Sequence, residues 1–275
     1  MNLLRMAGGK AGMADEIIAR IPPHVCYVEP FGGGAAVLMT KAPSQVEVYN
    51  DIRGDLVNFM MQVRDNAEEL ARRCYWTPKA RKLYGEWATK WSKDGWRPED
   101  PIERAAVFFF MQRMTFGGVP TWSPGNFGYS LVTGATAYSN ACRNILNVAG
   151  RLTRVTMECL DWSDILDRYD GPQTFFYLDP PYTYGTAGEA ADDCLYDWPP
   201  EKLDALVERL GRIKGKALVS VGKQEDADKF DGWRREVLER SLLISNDRRT
   251  KYENGNPIVK EYLLTNYDPE PGLFT

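Results

Sequence analysis

Histidine is almost missing from this chain of 275 residues. His24 stands alone, which excludes a multi-histidine metal centre and leaves little for a histidine-based catalytic triad. The five cysteines, at positions 26, 74, 142, 159 and 194, are odd in number and show no CxxC or CxH spacing. A disulfide framework and a structural zinc site are both disfavoured. No apolar run is long enough to span a membrane. The opening MNLLRMAGGK has neither an apolar core nor a cleavage site, so no signal peptide is read there and a cytoplasmic protein is expected. There is no excess of positive charge either. The net charge of −4 counts mildly against nucleic acid, although a local basic face is sufficient for binding it.

What is present is an ordinary globular composition, 44% hydrophobic and 26% charged, with a recurring α/β pattern. VCYVEPF (25–31) reads as a first strand, Gly32-Gly33-Gly34 as a turn, AAVLMTK as a helix start and QVEVYND (45–51) as a second strand. Strand, glycine turn, helix and strand make a βαβ unit and hence a parallel sheet with right-handed crossovers. Residues 54–114 then carry apolar residues at helical spacing, and 115–133 are aromatic and turn-rich, suiting a hairpin or a long ordered loop. A helix is expected over 135–152, strands over 155–160, 174–180 and 216–221, and a helix over 201–215. The chain should close with antiparallel strands over 235–243 and 259–266. The organisation expected is a discontinuous α/β domain, 1–52 and 146–275, carrying a helical insertion at 53–145.

Three stretches point to chemistry. Glu29-Pro30-Phe31-Gly32-Gly33-Gly34 lets backbone approach a ligand and opens a helix N-terminus towards it, though a tight turn packing a helix on a sheet has the same pattern. Asp51 ends the second strand about 20 residues further on, where βαβ cofactor sites place an acid for ribose hydroxyls, and where a helix cap also fits. Together they suit an adenosine-type ligand at the carboxyl edge of the sheet. The third stretch is Asp179-Pro180-Pro181-Tyr182, ending the strand FFYL. At average composition this string arises in roughly one chain of this length per thousand. Prolines fix φ and remove two N–H donors, leaving stiffly aimed carbonyls. A carboxylate and a carbonyl beside a flat ring suit the exocyclic amine of a planar base.

These residues resemble the D12 class of N6-adenine-specific DNA methyltransferases, the Dam-like family. Ala7-Gly8-Gly9-Lys10 is similar to its N-terminal glycine-lysine motif, Glu29 to Gly34 to its first motif, Asn50-Asp51 to its ribose-binding acid and Asp179 to Tyr182 to its catalytic motif. Asp161-Trp162 resembles an acid-aromatic pair that holds the cofactor's adenine, and NPIVKEYLLTNY the usual ending of the class. The resemblance implies a Rossmann-like methyltransferase fold with a mostly parallel seven-stranded sheet, and S-adenosylmethionine as cofactor, bound by Ala7, Gly8, Gly9, Lys10, Glu29, Pro30, Phe31, Gly32, Gly34, Asp51, Asp161 and Trp162. It implies no metal and no membrane. The insertion becomes a target-recognition domain for double-stranded DNA. Gly125-Asn126-Phe127-Gly128-Tyr129 keeps part of the family's recognition segment, whereas TFGGVPTW departs from it, so no recognition sequence follows.

By the same resemblance Asp179 and the Pro180 carbonyl grip the target amine, Pro181 stiffens the turn, and Tyr182 stacks on an adenine flipped out of the duplex. Arg113, Asn126, Arg248, Arg249 and Lys251 are the candidate DNA contacts, and residues 184–200 a candidate lid. A cognate restriction endonuclease and none are equally compatible with these residues. The competing readings are methylation of RNA or another planar amine, and a non-catalytic DNA-binding relative, which the intact Asp179 and Tyr182 disfavour.

Overall fold

The computed structural model describes residues 3–4, 9–115, 122–128, 136–181, 198–241 and 258–268. Seven strands, β1 (Cys26–Glu29), β2 (Val46–Asn50), β3 (Val155–Glu158), β4 (Thr174–Leu178), β5 (Lys216–Val221), β6 (Arg234–Ser241) and β7 (Ile258–Thr265), form one sheet. Their order is β3-β2-β1-β4-β5-β7-β6. The first five pair in parallel, and β7 runs antiparallel to both β5 and β6. This is the mostly parallel, Rossmann-like α/β sheet expected from the sequence. The strand order reverses between β1 and β4, and in such sheets ligands bind beyond the carboxyl ends at that reversal.

Side chains alternate across the sheet, and both faces are covered. Tyr27, Tyr49, Phe175, Tyr177, Leu218 and Leu263 belong to one apolar cluster. Their neighbours in sequence, Val28, Val48, Phe176, Tyr262 and Leu264, belong to the other. β4, TFFYL, is buried at every position, as a central parallel strand covered on both faces must be. Helices α1 (Ala14–Ile18) and α2 (Ala36–Thr40) cover the first face. Against the second face lie α8 (Trp162–Tyr169), α9 (Pro200–Leu210) and α10 (Gln224–Ala227).

Between β2 and β3 the chain builds a helical module from α3 (Gly54–Asp65), α4 (Ala67–Trp76), α5 (Arg81–Lys93), α6 (Pro101–Met114) and α7 (Thr136–Leu152). Asp100 caps α6 by accepting from the Ile102 N–H, with Pro101 in the first turn. Ala105 to Gln112 are all buried, so α6 is the module's central helix rather than an amphipathic cover. Phe59 and Phe109 stack at 5.4 Å, and Trp122 packs edge-on against Trp91 and Phe108. The module shares one continuous apolar cluster with the first face of the sheet. α7 runs unbroken through position 145 and leads straight to β3. In the turn-rich stretch, Thr115 bridges Phe127 in antiparallel fashion and the Gly128 N–H donates to the Met114 carbonyl. Residues 116–121 and 129–135 lie outside the described residues. No helix of the described residues is long and apolar enough to cross a membrane.

Candidate active site

The glycine turn after β1 is shaped by steric necessity. A Cβ on Gly32 would sit 2.3 Å from the Tyr49 ring and 2.8 Å from the Asn50 carbonyl, closer than real Cβ atoms approach. The Gly32 N–H donates to that same carbonyl at 2.7 Å, stitching the turn to the end of β2. Gly33 and Ala35 follow with φ of 49° and 54°. The left-handed form costs a residue with a Cβ, such as Ala35, roughly 1–2 kcal/mol. Asp51 fixes the turn from the other side. Its Oδ2 accepts from the Gly33 N–H at 3.0 Å and its Oδ1 from the Arg53 N–H at 2.9 Å. Asn50 joins three strand ends, donating to the carbonyls of Pro30 and Leu160 and accepting from the Leu160 N–H.

Glu29, at the end of β1, is buried and turned towards α2. Its Oε1 accepts from the Tyr27 hydroxyl at 2.7 Å and from the Leu38 N–H at 2.8 Å. Burial, helped by the nearby Asp179, pushes its pKa up to about 7 against those two hydrogen bonds and against Lys41. Asp161 caps α8 through the Ser163 N–H and hydroxyl. The aromatic residues of the two cofactor motifs meet on a third one. Trp198 lies edge-on to both, to Phe31 at 5.3 Å and to Trp162 at 6.4 Å. Trp198 is buried, yet among the described residues its indole N–H meets no hydrogen-bond partner.

Asp179 stands where β4 ends, half-buried above the strand. Lys10, in the 3-10 turn Lys10–Gly12, reaches its Oδ1 at 2.6 Å, and the Ser220 hydroxyl on β5 donates to the same oxygen at 3.1 Å. Lys10 is buried and also lies 3.2 Å from Oε1 of Glu261 on β7, itself buried. The Tyr177 hydroxyl is 3.3 Å from the Ser220 oxygen. Burial raises the Tyr177 pKa well above the ordinary phenol value, and Asp179 adds to the rise, so the hydroxyl stays protonated. Among the described residues both hydrogen bonds to Asp179 land on Oδ1.

The fold thus gathers Gly9, Lys10, Glu29 to Gly34, Asp51, Asp161, Trp162, Asp179, Pro180 and Pro181 along the carboxyl ends of β1 to β4. Arg113, at the end of α6, and Asn126, in the turn Pro124–Asn126, belong instead to the helical module. Ala7, Gly8, Tyr182, Arg248, Arg249, Lys251 and most of 184–200 lie outside the described residues. Ser220 and Glu261 were not among the expected site residues, and Trp198 was expected only as part of the candidate lid. The signal for Ser220 was a polar side chain inside the apolar run ALVSV, whereas Glu261, next to Lys260, had no such signal. The donor set fits an adenosine-type cofactor. It offers carboxylates for hydroxyl and amine hydrogens, aromatic faces for a purine and one buried indole N–H in want of an acceptor. Among the described residues no group of three or more His, Cys, Asp or Glu side chains is placed to hold a metal ion.

Comparison with known proteins agrees with this geometry. The sequence profile of the D12 class N6 adenine-specific DNA methyltransferase family matches residues 7–249. The chain is 28% identical over 230 residues to a DNA N-6-adenine-methyltransferase of Escherichia phage P1, a match covering 80% of this chain and 29% of the phage protein. It is 26% identical over 184 residues to the DNA adenine methylase of Escherichia coli K12, covering 65% of this chain and 64% of that one. The chain therefore spans less than two thirds of the length of these two relatives. A type II methyltransferase, M.MjaIII of Methanocaldococcus jannaschii, matches end to end, at 26% identity over 96% of this chain and 98% of its own. Among solved structures, precorrin 8w decarboxylase of Methanobacterium thermoautotrophicum superposes with a TM-score of 0.39 at 8% identity, over 94% of this chain and 90% of that one. That likeness is too distant to bear on function.

Proposed function

The chain belongs to the D12 class of N6-adenine-specific DNA methyltransferases, and from that membership we propose that it methylates N6 of an adenine in duplex DNA, with S-adenosylmethionine as methyl donor. The observation that carries the reading is the carboxylate of Asp179, pinned through one oxygen by Lys10 and Ser220 at the end of β4. A carboxylate so held keeps its second oxygen in a fixed direction without paying for its alignment when substrate arrives.

An adenine amine is buried in the duplex, so the base is taken out of the stack into the site. Asp179 Oδ2 and the Pro180 carbonyl accept its two N–H hydrogens. This draws the nitrogen lone pair out of conjugation with the ring and aims it away from the acceptors. Tyr182 supplies a stacking face, worth about 1–3 kcal/mol per base. When bound, S-adenosylmethionine supplies an electrophilic methyl group on a sulfonium. Phe31, Trp162 and the Trp198 indole N–H would hold its adenine end. Asp51, already committed to the glycine turn, would orient the ribose through that turn. Asp179 is also where the proton lost from the methylated nitrogen can leave towards solvent. The helical module at 53–145 would read the target, with Arg113 and Asn126 facing the bases or phosphates. Arg248, Arg249 and Lys251 would add phosphate contacts.

The test is to incubate the protein with S-adenosylmethionine and plasmid DNA and to sequence the product with modified-base detection. N6-methyladenine at one short recurring sequence is expected. Transfer confined to RNA in a parallel incubation overturns the choice of substrate.

A further inference from the structure

Lys10 is shared. Its ammonium lies 2.6 Å from Asp179 and 3.2 Å from Glu261, two carboxylates carried by different strands at one end of the sheet. Lys10 is 3% exposed and Glu261 1%, whereas Asp179 is 24% exposed. We propose that Glu261 is a positioning residue for methyl transfer: by holding part of the Lys10 ammonium it keeps that lysine from neutralising Asp179. This rests on the reading of the site given above.

A buried lysine facing a single carboxylate forms a closed, neutral pair, and the carboxylate left over is a poor acceptor. Among the described residues one ammonium is divided between two carboxylates, so Asp179 receives only part of its charge. Glu261 is sealed from solvent, and Asp179 is the one of the three open to an incoming group. A carboxylate that is not neutralised suits an amine that must donate hydrogens and a donor molecule that carries a positive sulfonium. Among the described residues the other groups named beside Asp179 bring no positive charge. Ser220 on β5 donates a neutral hydrogen bond to the same oxygen. Tyr177 on β4 stays a protonated phenol. Glu29 on β1, bonded to the Tyr27 hydroxyl, is a further acid, close enough for Asp179 to raise its pKa.

Three variants of the full chain separate this role from a structural one: Lys10→Met, Glu261→Gln and the two combined. In Lys10→Met two carboxylates face each other with no cation between them. The acid limb of kcat/KM against pH should then rise by about 1–3 pH units, because one of them retains a proton. In Glu261→Gln, Asp179 alone takes the lysine, so the acid limb should fall and kcat should drop more than KM changes. The double variant should return the limb towards that of the native chain. Melting temperature, which needs no activity, is measured alongside. The deficit of Lys10→Met should widen from pH 5 to pH 8 and shrink when Glu261→Gln is added. An unmoved acid limb in Glu261→Gln, or melting losses that simply add in the double variant, overturns the proposal while leaving the methyltransferase reading intact. If the native chain transfers no methyl to DNA, that reading falls and takes the positioning role with it. The melting data then still report whether the three groups share charge.

Discussion

Two buried ionic clusters sit at opposite ends of the same sheet, and they are built to opposite specifications. At the amino end, Glu47 on β2 is saturated. Arg151 of α7 bonds both its oxygens at 2.5 and 2.8 Å, Lys41 reaches Oε1 at 2.6 Å and the Ser44 N–H adds a fourth contact. Burial pushes the Glu47 pKa up, but the hydrogen bonds from Arg151 and Lys41 outweigh it and hold it below the usual carboxylate range. Lys41 is occupied as well, bonding Ser44 and lying 4.3 Å from the centre of the Tyr27 ring. His24 closes the group. One ring nitrogen faces the Pro22 carbonyl and must donate, the other takes the Ser44 hydroxyl, and burial lowers its pKa so that it stays neutral. Two cations meet one anion there, and both Glu47 oxygens are taken, with only the buried Arg151 Nε left without a partner among the described residues.

At the carboxyl end the balance is reversed. One lysine serves Asp179 and Glu261, with Glu29 close by, and the hydrogen bonds to Asp179 crowd onto one oxygen. A closed cluster with surplus cation ties the helical module to the sheet. At the other end, among the described residues, a lysine shared by two acids leaves Asp179 open to donors. The difference is informative because burial alone does not distinguish the two: Glu47 and Glu261 are equally inaccessible. Satisfaction and net charge do.

That contrast can be broken from either side. The largest effect is expected at the closed cluster. Glu47→Ala strands Lys41 and Arg151 together, and removing one partner from a buried ion pair costs about 3–5 kcal/mol. Denaturant unfolding should show that loss, while the transfer rate per folded molecule stays near the native value. A comparable loss of rate would mean that the amino end also serves the reaction. Glu29→Gln comes next. Its folded pKa of about 7 lies above the ordinary carboxyl value of 4.5. The stability tied to its proton is therefore present below that ordinary value and is lost as pH rises through about 7, an effect of about 3 kcal/mol. Glutamine keeps an oxygen for Tyr27 and Leu38 without the charge, so the variant should gain melting temperature over the native chain at pH 8 and little at pH 5. A gap that does not vary with pH would place Glu29 among the ordinary carboxylates. Tyr182→Ala should be the mildest, weakening the hold on an extruded base by about 1–3 kcal/mol without changing the affinity for S-adenosylmethionine measured by calorimetry. Equal weakening of both would put Tyr182 at the cofactor instead.

Most of the sheet was legible in advance because central parallel strands must be apolar on both faces, so TFFYL and KALVSV stand out by composition alone. The glycine turn was legible for a related reason: only glycine tolerates the approach of Tyr49 and Asn50 at position 32. Less visible was which partner each polar group finds. Asp51 and Glu29, both expected to hold the cofactor, also accept from the Gly33 and Leu38 N–H groups. Those bonds join residues far apart in sequence, where no local spacing signals them. Nothing local in the sequence marks Glu261, and the pairing of β7 with β5 carries it to Lys10. Asn50, matched with Asp51 to the same motif, ties β1, β2 and β3 together through its amide.

The most direct measurement is single-turnover transfer of a deuterated methyl group to duplex DNA by the native chain and by Asp179→Ala, with nucleosides identified by mass spectrometry after digestion. The account predicts deuteromethyl on N6 of adenine with the native chain. For Asp179→Ala it predicts a rate lower by roughly 100-fold or more, with S-adenosylmethionine still bound. Transfer at the native rate by Asp179→Ala, or label on an atom other than N6, would contradict it.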